Sequence, residues 1–95
     1  MREVCAMAVQ HGVRIGAQVS YPDRDHFGRR ALEIAARLLA ESLEEQFCDL
    51  VAAAAEVGGQ VAYVKPHGAL YNTVVTRDDH AAVVVELAAR HAENI

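Results

Sequence analysis

The sequence predicts an α/β domain with a parallel sheet, because strand and helix patterns alternate along the 95-residue chain. Short apolar runs at residues 13–19 and 61–64 predict two strands. Helical patterns precede, separate and follow them, an order typical of parallel sheets with right-handed crossovers. A stable sheet normally needs three or more strands. We therefore expect these residues to be one part of a larger α/β domain.

Two shorter helices are predicted near the ends of the chain. Residues 1–11 form the first helical pattern, and Gly12 ends it. The last helix is expected from Asp79 to about His91, with Thr76 or Asp78 as its cap. Its apolar side is expected to carry Val84, Leu87, Ala88 and His91.

The longest helical pattern runs from Leu32 to Val57, with apolar residues three and four positions apart. The run Ser42 to Glu45 also matches a capping box. Two helices that meet near Ser42 are therefore an alternative to one long helix.

Composition limits the class of protein. The chain is 53% hydrophobic, which indicates a folded domain, and its net charge of −4 without a basic tract argues against a nucleic-acid partner. No apolar run reaches the roughly 18 residues of a membrane span, and the start lacks the apolar run of a secretory signal. A cytoplasmic location is expected, with Cys5 and Cys48 as buried, reduced thiols.

Polar side chains gather where both predicted strands end. Lys65, His67, Tyr71 and Asn72 follow the second strand, where Pro66 ends ladder pairing. The polar groups at the end of the first strand and in the loop after it are Gln18, Ser20, Tyr21, Asp23, His26, Arg29 and Arg30. The carboxyl ends of parallel strands share one edge, so the two groups should converge. We call this edge, formed by residues 18–23 and 65–72, the rim.

A carboxylate, an imidazole, a phenol and an ammonium group at one rim suit acid/base chemistry on a carbonyl or amide. The residues that would supply them are Asp23, His67, Tyr71 and Lys65. Lys65 could also hold an anionic substrate group or stabilise an oxyanion. Each residue has a structural alternative: a turn residue for Asp23, a backbone-bonded ring for His67, a core anchor for Tyr71 and a solvated charge for Lys65.

The remaining basic and metal-ligating residue types give weaker signals. Arg29 and Arg30 form either a solvated pair or an anion site. His11, His80 and His91 lie in helical patterns and are expected to be structural or surface groups. No His-x-x-x-His pair or cysteine cluster indicates a metal.

Several short runs together resemble the LamB/YcsF family, which supplies the A component of prokaryotic ATP-dependent 5-oxoprolinase. The last run is nine residues long and is the most specific. The matching runs are Gly12-Val13, Ile15-Gly16-Ala17, Ser20-Tyr21-Pro22-Asp23, Phe27-Gly28-Arg29-Arg30, Gln46 with Leu50, and Val64-Lys65-Pro66-His67-Gly68-Ala69-Leu70-Tyr71-Asn72.

The resemblance implies an irregular, TIM-like seven-stranded β/α barrel of about 250 residues. It implies partner subunits B and C, and hydrolytic opening of the lactam 5-oxoproline to glutamate, driven by ATP. Carried over by position, the catalytic candidates are Lys65, His67, Tyr71 and Asp23, and the substrate-binding candidates are Ser20, Tyr21, Arg29 and Asn72. Lys65 or Tyr71 would polarise the lactam carbonyl, and His67 would move protons.

The chain also departs from the family pattern. Gln18-Val19 stands where the family has His-Pro, and Tyr63 stands where it has His. Gln cannot act as a general acid or base at neutral pH. The first two family strands, with their Asp-Leu-Asn-Cys-Asp and Cys-Gly-Phe-His-Ala-Gly-Asp runs, and the C-terminal half are not matched.

Residues 1–95 are therefore expected to be a single partial barrel domain with about two strands and three to four helices. A truncated gene, a misassigned start or a partial chain would each explain this. Whether it is active alone is left open. One alternative is a non-catalytic module that self-associates through exposed strand edges. Another, from fold analogy alone, is a metal hydrolase similar to sugar deacetylases.

Overall fold

The computed structural model describes residues 1–22 and 34–92. The elements are α1 (Arg2–Gln10), β1 (Ile15–Val19), α2 (Ala36–Glu56), β2 (Val61–Pro66), α3 (Ala69–Thr73) and α4 (Asp78–Arg90). Strands and helices alternate, which confirms the predicted α/β class. Asp23, His26, Arg29 and Arg30 lie outside the described residues.

The two strands pair in parallel, as predicted. Gln18 lies opposite Lys65 and Val19 lies opposite Pro66, while the register shifts between Ile15 and Gly16. Strand β2 extends to Pro66, past the predicted end at Val64. Pro66 fits its last position because the next donor is the His67 N–H, which reaches the Val19 carbonyl at 2.8 Å.

One face of the sheet and the helices bury a common apolar core. The strands contribute Ile15, Ala17, Val19 and Val61, and the helices contribute Cys5, Leu39, Leu43, Phe47, Ala54, Leu70, Val83 and Leu87. The buried residues of α2 recur mainly in steps of four, as the predicted apolar stripe requires. Each large side chain of this kind stabilises the fold by about 1.5–3 kcal/mol relative to exposure.

The opposite face of the sheet is open within the described residues. Gln18 lies between buried Ala17 and Val19, and after the register shift Tyr63 and Lys65 lie on either side of Val64, which packs against the core. Gln18, Tyr63 and Lys65 are exposed. The Tyr63 ring lies over Gly16, so that a Cβ at position 16 would overlap the ring. We call the surface formed by Gly16, Gln18, Tyr63 and Lys65 the open face.

Helix α2 is continuous through Ser42, so the alternative of two helices is wrong. The Ser42 hydroxyl accepts a hydrogen bond from Gln46 Nε2 at 3.1 Å instead of capping a helix. Among the described residues, α2 begins at Ala36, later than the predicted Leu32.

The start of α4 and the rim also differ from the prediction. Arg77 is the N-cap residue of α4 and makes no side-chain cap bond, so the predicted caps, Thr76 and Asp78, are wrong.

The short helix α3 was not predicted, because Pro66 and Gly68 favour a loop. Gly68 has a φ of 65° and leads directly into α3, a conformation that favours glycine.

The two cysteines differ in exposure. Cys5 is buried as expected, but Cys48 is exposed, so that prediction is wrong for Cys48. Cys48 follows buried Phe47 on the outer side of α2, and its thiol donates to Glu44 Oε1 at 3.6 Å. Local desolvation and the Glu44 carboxylate raise the pKa of the Cys48 thiol, which keeps it protonated and weakly nucleophilic.

In the ranges 1–22 and 34–92, no helix combines the length and the apolar composition that crossing a bilayer requires.

Candidate functional site

The rim forms because both strands run in the same direction and end side by side. Strand β1 ends at Val19 and β2 at Pro66, which are partners in the register. The hydrogen bond from the His67 N–H to the Val19 carbonyl extends this pairing by one residue. The described parts of the two predicted polar groups therefore share one edge of the sheet.

Three candidate side chains at the rim surround one small cavity. Lys65, His67 and Tyr71 line a space of about 160 Å³ together with Pro66 and Gly68. The Lys65 ammonium lies 5.7 Å from the centroid of the Tyr71 ring, a cation–π distance. The cavity thus presents an ammonium, an imidazole and a phenol to a ligand.

Tyr71 is on the outside of the molecule. Its side chain is 54% exposed, so the alternative of a core anchor is wrong. Helix α3 directs buried Ala69 and Leu70 inward and leaves Tyr71 and Asn72 exposed. The helix therefore anchors the rim with its apolar residues and presents its polar residues to solvent.

The residues after β1 are held by α2. The Ser20 N–H donates to Gln46 Oε1 at 3.0 Å, and Gln46 Nε2 donates to the Ser20 carbonyl at 2.9 Å. Only one orientation of the Gln46 amide satisfies both bonds, because the flipped amide would face a donor with a donor. The backbone of Ser20 is thus fixed at the rim.

Tyr21 points into the core. It is 2% exposed, and its hydroxyl lies 2.8 Å from Nδ1 of the fully buried His80. His80 Nε2 lies 3.0 Å from the Ile34 carbonyl. Arg77 Nη2, which only donates, lies 3.3 Å from the same nitrogen, but the carbonyl is nearer and only accepts. We therefore place the proton of the neutral ring on Nε2, and Nδ1 accepts from Tyr21. The predicted substrate-binding hydroxyl of Tyr21 is therefore engaged inside the protein.

Gln46 and His80 support the site in ways that the sequence did not predict. In the sequence, Gln46 is only a family-matching position, and His80 is only a structural or surface histidine. A signal for His80 does exist, because it is spaced three and seven positions from Val83 and Leu87, which are buried on the same face of α4. Gln46 carries a comparable signal, because it is three and seven positions from Leu43 and Leu39, which are buried on α2.

A charged pair lies beside His80 at the start of α4. Arg77 donates to both carboxylate oxygens of Asp79, at 3.0 and 2.9 Å. These bonds lower the pKa of Asp79 to about 2. Asp79 is therefore a charged partner of Arg77 and not a proton carrier near neutral pH.

No metal site is formed by the described residues, which contain no group of three or more His, Cys, Asp or Glu side chains arranged to hold an ion.

Comparisons with known proteins agree with the motif at the rim. The model of the LamB/YcsF family matches residues 1–95. The chain is 50% identical over 86 residues to the 5-oxoprolinase A subunit of Streptomyces avermitilis, covering 90% of this chain and 34% of that protein. It is 52% identical over 83 residues to the protein of the same name from Mycobacterium avium, covering 87% of this chain and 33% of the relative. The chain thus spans about a third of the length of these relatives.

Proposed function

Because the chain belongs to the LamB/YcsF family, we propose that it is part of a 5-oxoprolinase A subunit. Such a protein would act with partner subunits B and C, in the cytoplasm, to open the lactam of 5-oxoproline to glutamate at the expense of ATP. The names of the relatives support the reaction class, since both are A subunits of 5-oxoprolinase.

The observation that carries this proposal is the cavity between Lys65, His67 and Tyr71. All three belong to the nine-residue run that is most specific to the family, and all three are accessible to a ligand. In the proposed reaction, Lys65 or Tyr71 donates a hydrogen bond to the lactam oxygen and stabilises the charge that develops there. His67 takes a proton from the attacking water and returns one to the leaving nitrogen.

The rim cavity does not fit a nucleotide. The rim cavity of about 160 Å³ is smaller than the roughly 300–1,000 Å³ typical of small-molecule sites, and among the described residues Lys65 is the one ammonium or guanidinium group that lines it. The proposal therefore assigns the described rim to the lactam and leaves ATP to another part of the assembly. Lys65, His67 and Tyr71 are accordingly given roles on the lactam alone.

The proposed larger architecture is the irregular β/α barrel of the family. Parallel sheets normally have both faces covered. Here helices cover one face, and the open face carries Gln18, Tyr63 and Lys65. An inward-facing surface of a barrel would carry such residues, and further strands would pair with the free edges of β1 and β2.

Substitution of His67 tests the proposed reaction. We expect His67→Ala to reduce ATP-dependent glutamate release by about 10²–10⁴-fold, because a positioned acid/base group contributes about that much. The measurement is glutamate released from 5-oxoproline by the chain mixed with subunits B and C of a relative. His11→Ala is the matched control, because His11 is an exposed histidine at the other end of β1. Undiminished release by His67→Ala would remove His67 from the mechanism, and no release by the wild-type chain would contradict the proposed activity.

The open sheet favours a second candidate function, that of a non-catalytic module which associates with copies of itself. Within the described residues, each strand has one neighbour and therefore one unpaired edge. Unpaired edges are templates for strand addition. Light scattering after size-exclusion chromatography distinguishes the two functions. We expect dimers or larger species whose fraction rises with concentration, whereas a monomer at all concentrations would exclude this candidate.

A further inference from the structure

The side chain of Gln46 takes the place of a neighbouring strand for one residue of the rim. Its amide accepts from the Ser20 N–H at 3.0 Å and donates to the Ser20 carbonyl at 2.9 Å. Its second N–H donates to the Ser42 hydroxyl at 3.1 Å, one turn earlier on α2. The donor and the acceptor of one amide thus satisfy both backbone groups of Ser20, as a neighbouring strand would.

These bonds extend the course of β1 beyond its pairing with β2. The last backbone bond between the strands uses the Val19 carbonyl, and Ser20 turns its own N–H and carbonyl to α2. Tyr21 is buried, like Ile15, Ala17 and Val19. The alternation of a strand therefore continues to residue 21, two residues past the end of β1.

The alternation determines which way Ser20 faces. Gly16 and Gln18 precede it in the even-numbered series, which belongs to the open face, and Gln18 lies opposite Lys65 in the register. A rotation of the Ser20 peptide would break this series and turn the hydroxyl away. Gln46 bonds both the N–H and the carbonyl of Ser20, and these two bonds therefore fix the direction of the Ser20 side chain.

We propose that Gln46 is a positioning residue of the rim, which aims the Ser20 hydroxyl at the ligand that Lys65 binds. This inference rests on the proposed function, because Ser20 and Lys65 face a common ligand only if the rim is the lactam site. It assigns to Gln46 an effect on ligand binding that is separate from the packing of α2.

The substitution Gln46→Glu separates positioning from packing, because the new side chain has nearly the same shape. A carboxylate still accepts from the Ser20 N–H but cannot donate to the Ser20 carbonyl. A protonated carboxyl group regains both functions, since its carbonyl accepts and its O–H donates. The variant is therefore expected to be defective at neutral pH and restored in acid, whereas Gln46→Met should be defective at every pH.

Two measurements are made on the full chain between about pH 4 and 8. The first is the protection of the Ser20 amide from hydrogen exchange, relative to its intrinsic rate. The second is the affinity for 5-oxoproline by NMR titration. We expect Gln46→Glu to lower both by about threefold to tenfold at pH 8 and to recover them as the pH falls. The wild-type chain is measured in parallel as the control for pH effects that do not arise from position 46, because Asp49 lines the same cleft as Gln46.

The outcomes separate this inference from the proposed function. If the wild-type chain does not bind 5-oxoproline, the proposed function fails, and with it the role of Gln46 in that site. If the wild-type chain binds and Gln46→Glu binds equally well at pH 8, the proposed function stands and the positioning role is wrong. Equal losses in Gln46→Glu and Gln46→Met at every pH would show that Gln46 only packs.

If either variant fails to fold, the wild-type chain alone still decides. An unprotected Ser20 amide in the wild-type chain would overturn the inference.

Discussion

A buried imidazole joins the end of β1 to the residues that precede α2. His80 contacts both the Tyr21 hydroxyl and the Ile34 carbonyl. The partners of the ring are 59 and 46 positions away in the chain. A fully buried histidine is stable in this place because both ring nitrogens have partners.

Removal of the Tyr21 hydroxyl should therefore be costly. Tyr21→Phe leaves His80 Nδ1 buried without its donor, and we expect a loss of about 1–3 kcal/mol in the free energy of unfolding. Urea denaturation measures the loss. Tyr71→Phe is the matched control, because Tyr71 is exposed and should change stability by less than about 0.5 kcal/mol. Equal stability of the two variants would contradict a structural role for the bond to His80.

The roles of single residues were predictable where they depend on the local sequence. Lys65, His67 and Tyr71 lie within one short run at the end of a strand, so their meeting at one cavity could be foreseen. Gln46 and Tyr21 depend on partners in distant elements. The chain does not reveal that Gln46 reaches Ser20, because they lie 26 positions apart and helix α2 decides the approach.

At the scale of elements, a polar cluster of Glu44, Arg90 and His91, which we call the clasp, joins the outer sides of α2 and α4. The Glu44 carboxylate accepts from His91 at 2.7 Å and from Arg90 at 3.0 Å. The ring of His91 also packs on Phe47, with centroids 4.4 Å apart. The clasp therefore holds the last turn of α4 against the middle of α2.

Loss of the Glu44 charge should loosen this clasp. We expect Glu44→Gln to lower the free energy of unfolding by only about 1 kcal/mol, because the ion pairs of Glu44 with Arg90 and His91 are partly exposed and are screened by solvent. Glu45→Gln is the control, since Glu45 is exposed one position further along α2. Chemical denaturation at low salt and in about 1 M salt measures both variants, and salt should reduce the difference between them. The same loss in both would mean that the clasp does not contribute.

Element boundaries followed the sequence where an apolar pattern or a glycine sets them. Helix α1 and strand β1 lie within the predicted ranges, and Gly12 separates them with a φ of 66°. The capping prediction at Ser42 was wrong because a long apolar stripe on one side of α2 outweighs a weak local signal. Helix α3 was missed because its 5 residues are too few to show a period.

At the scale of the whole molecule, the core is a single layer between one sheet face and the helices. A domain of this size has a free energy of unfolding of roughly 5–15 kcal/mol. Leu39, Leu43 and Phe47 are almost fully buried in its centre. Truncation of any one of them should thus remove a large part of the total stability.

Leu43→Ala is expected to lower the free energy of unfolding by about 2–5 kcal/mol, because it removes buried methyl groups and leaves a cavity. Leu38→Ala is the control on the same helix, because Leu38 is 46% exposed and should cost less than about 1 kcal/mol. The midpoint of urea unfolding reports both values. A loss of less than about 1 kcal/mol in Leu43→Ala would contradict the position of the core.

The parallel pairing of the two strands was predictable for the whole molecule, because a long helix between them requires a crossover. Within the described residues each strand keeps one unpaired edge, and the sequence of the two strands does not predict what would pair with it. The sequence thus predicts the parallel strand pair and the position of its rim.

The Tyr63 ring occupies the space into which a side chain at position 16 would extend. A larger residue at position 16 can be accommodated only if the ring at position 63 becomes smaller or swings away, because a Cβ at position 16 already overlaps the ring. Substitutions at the two positions should therefore compensate each other, although they lie in different strands with the whole of α2 between them in the chain. Any redesign of the open face must change this pair together.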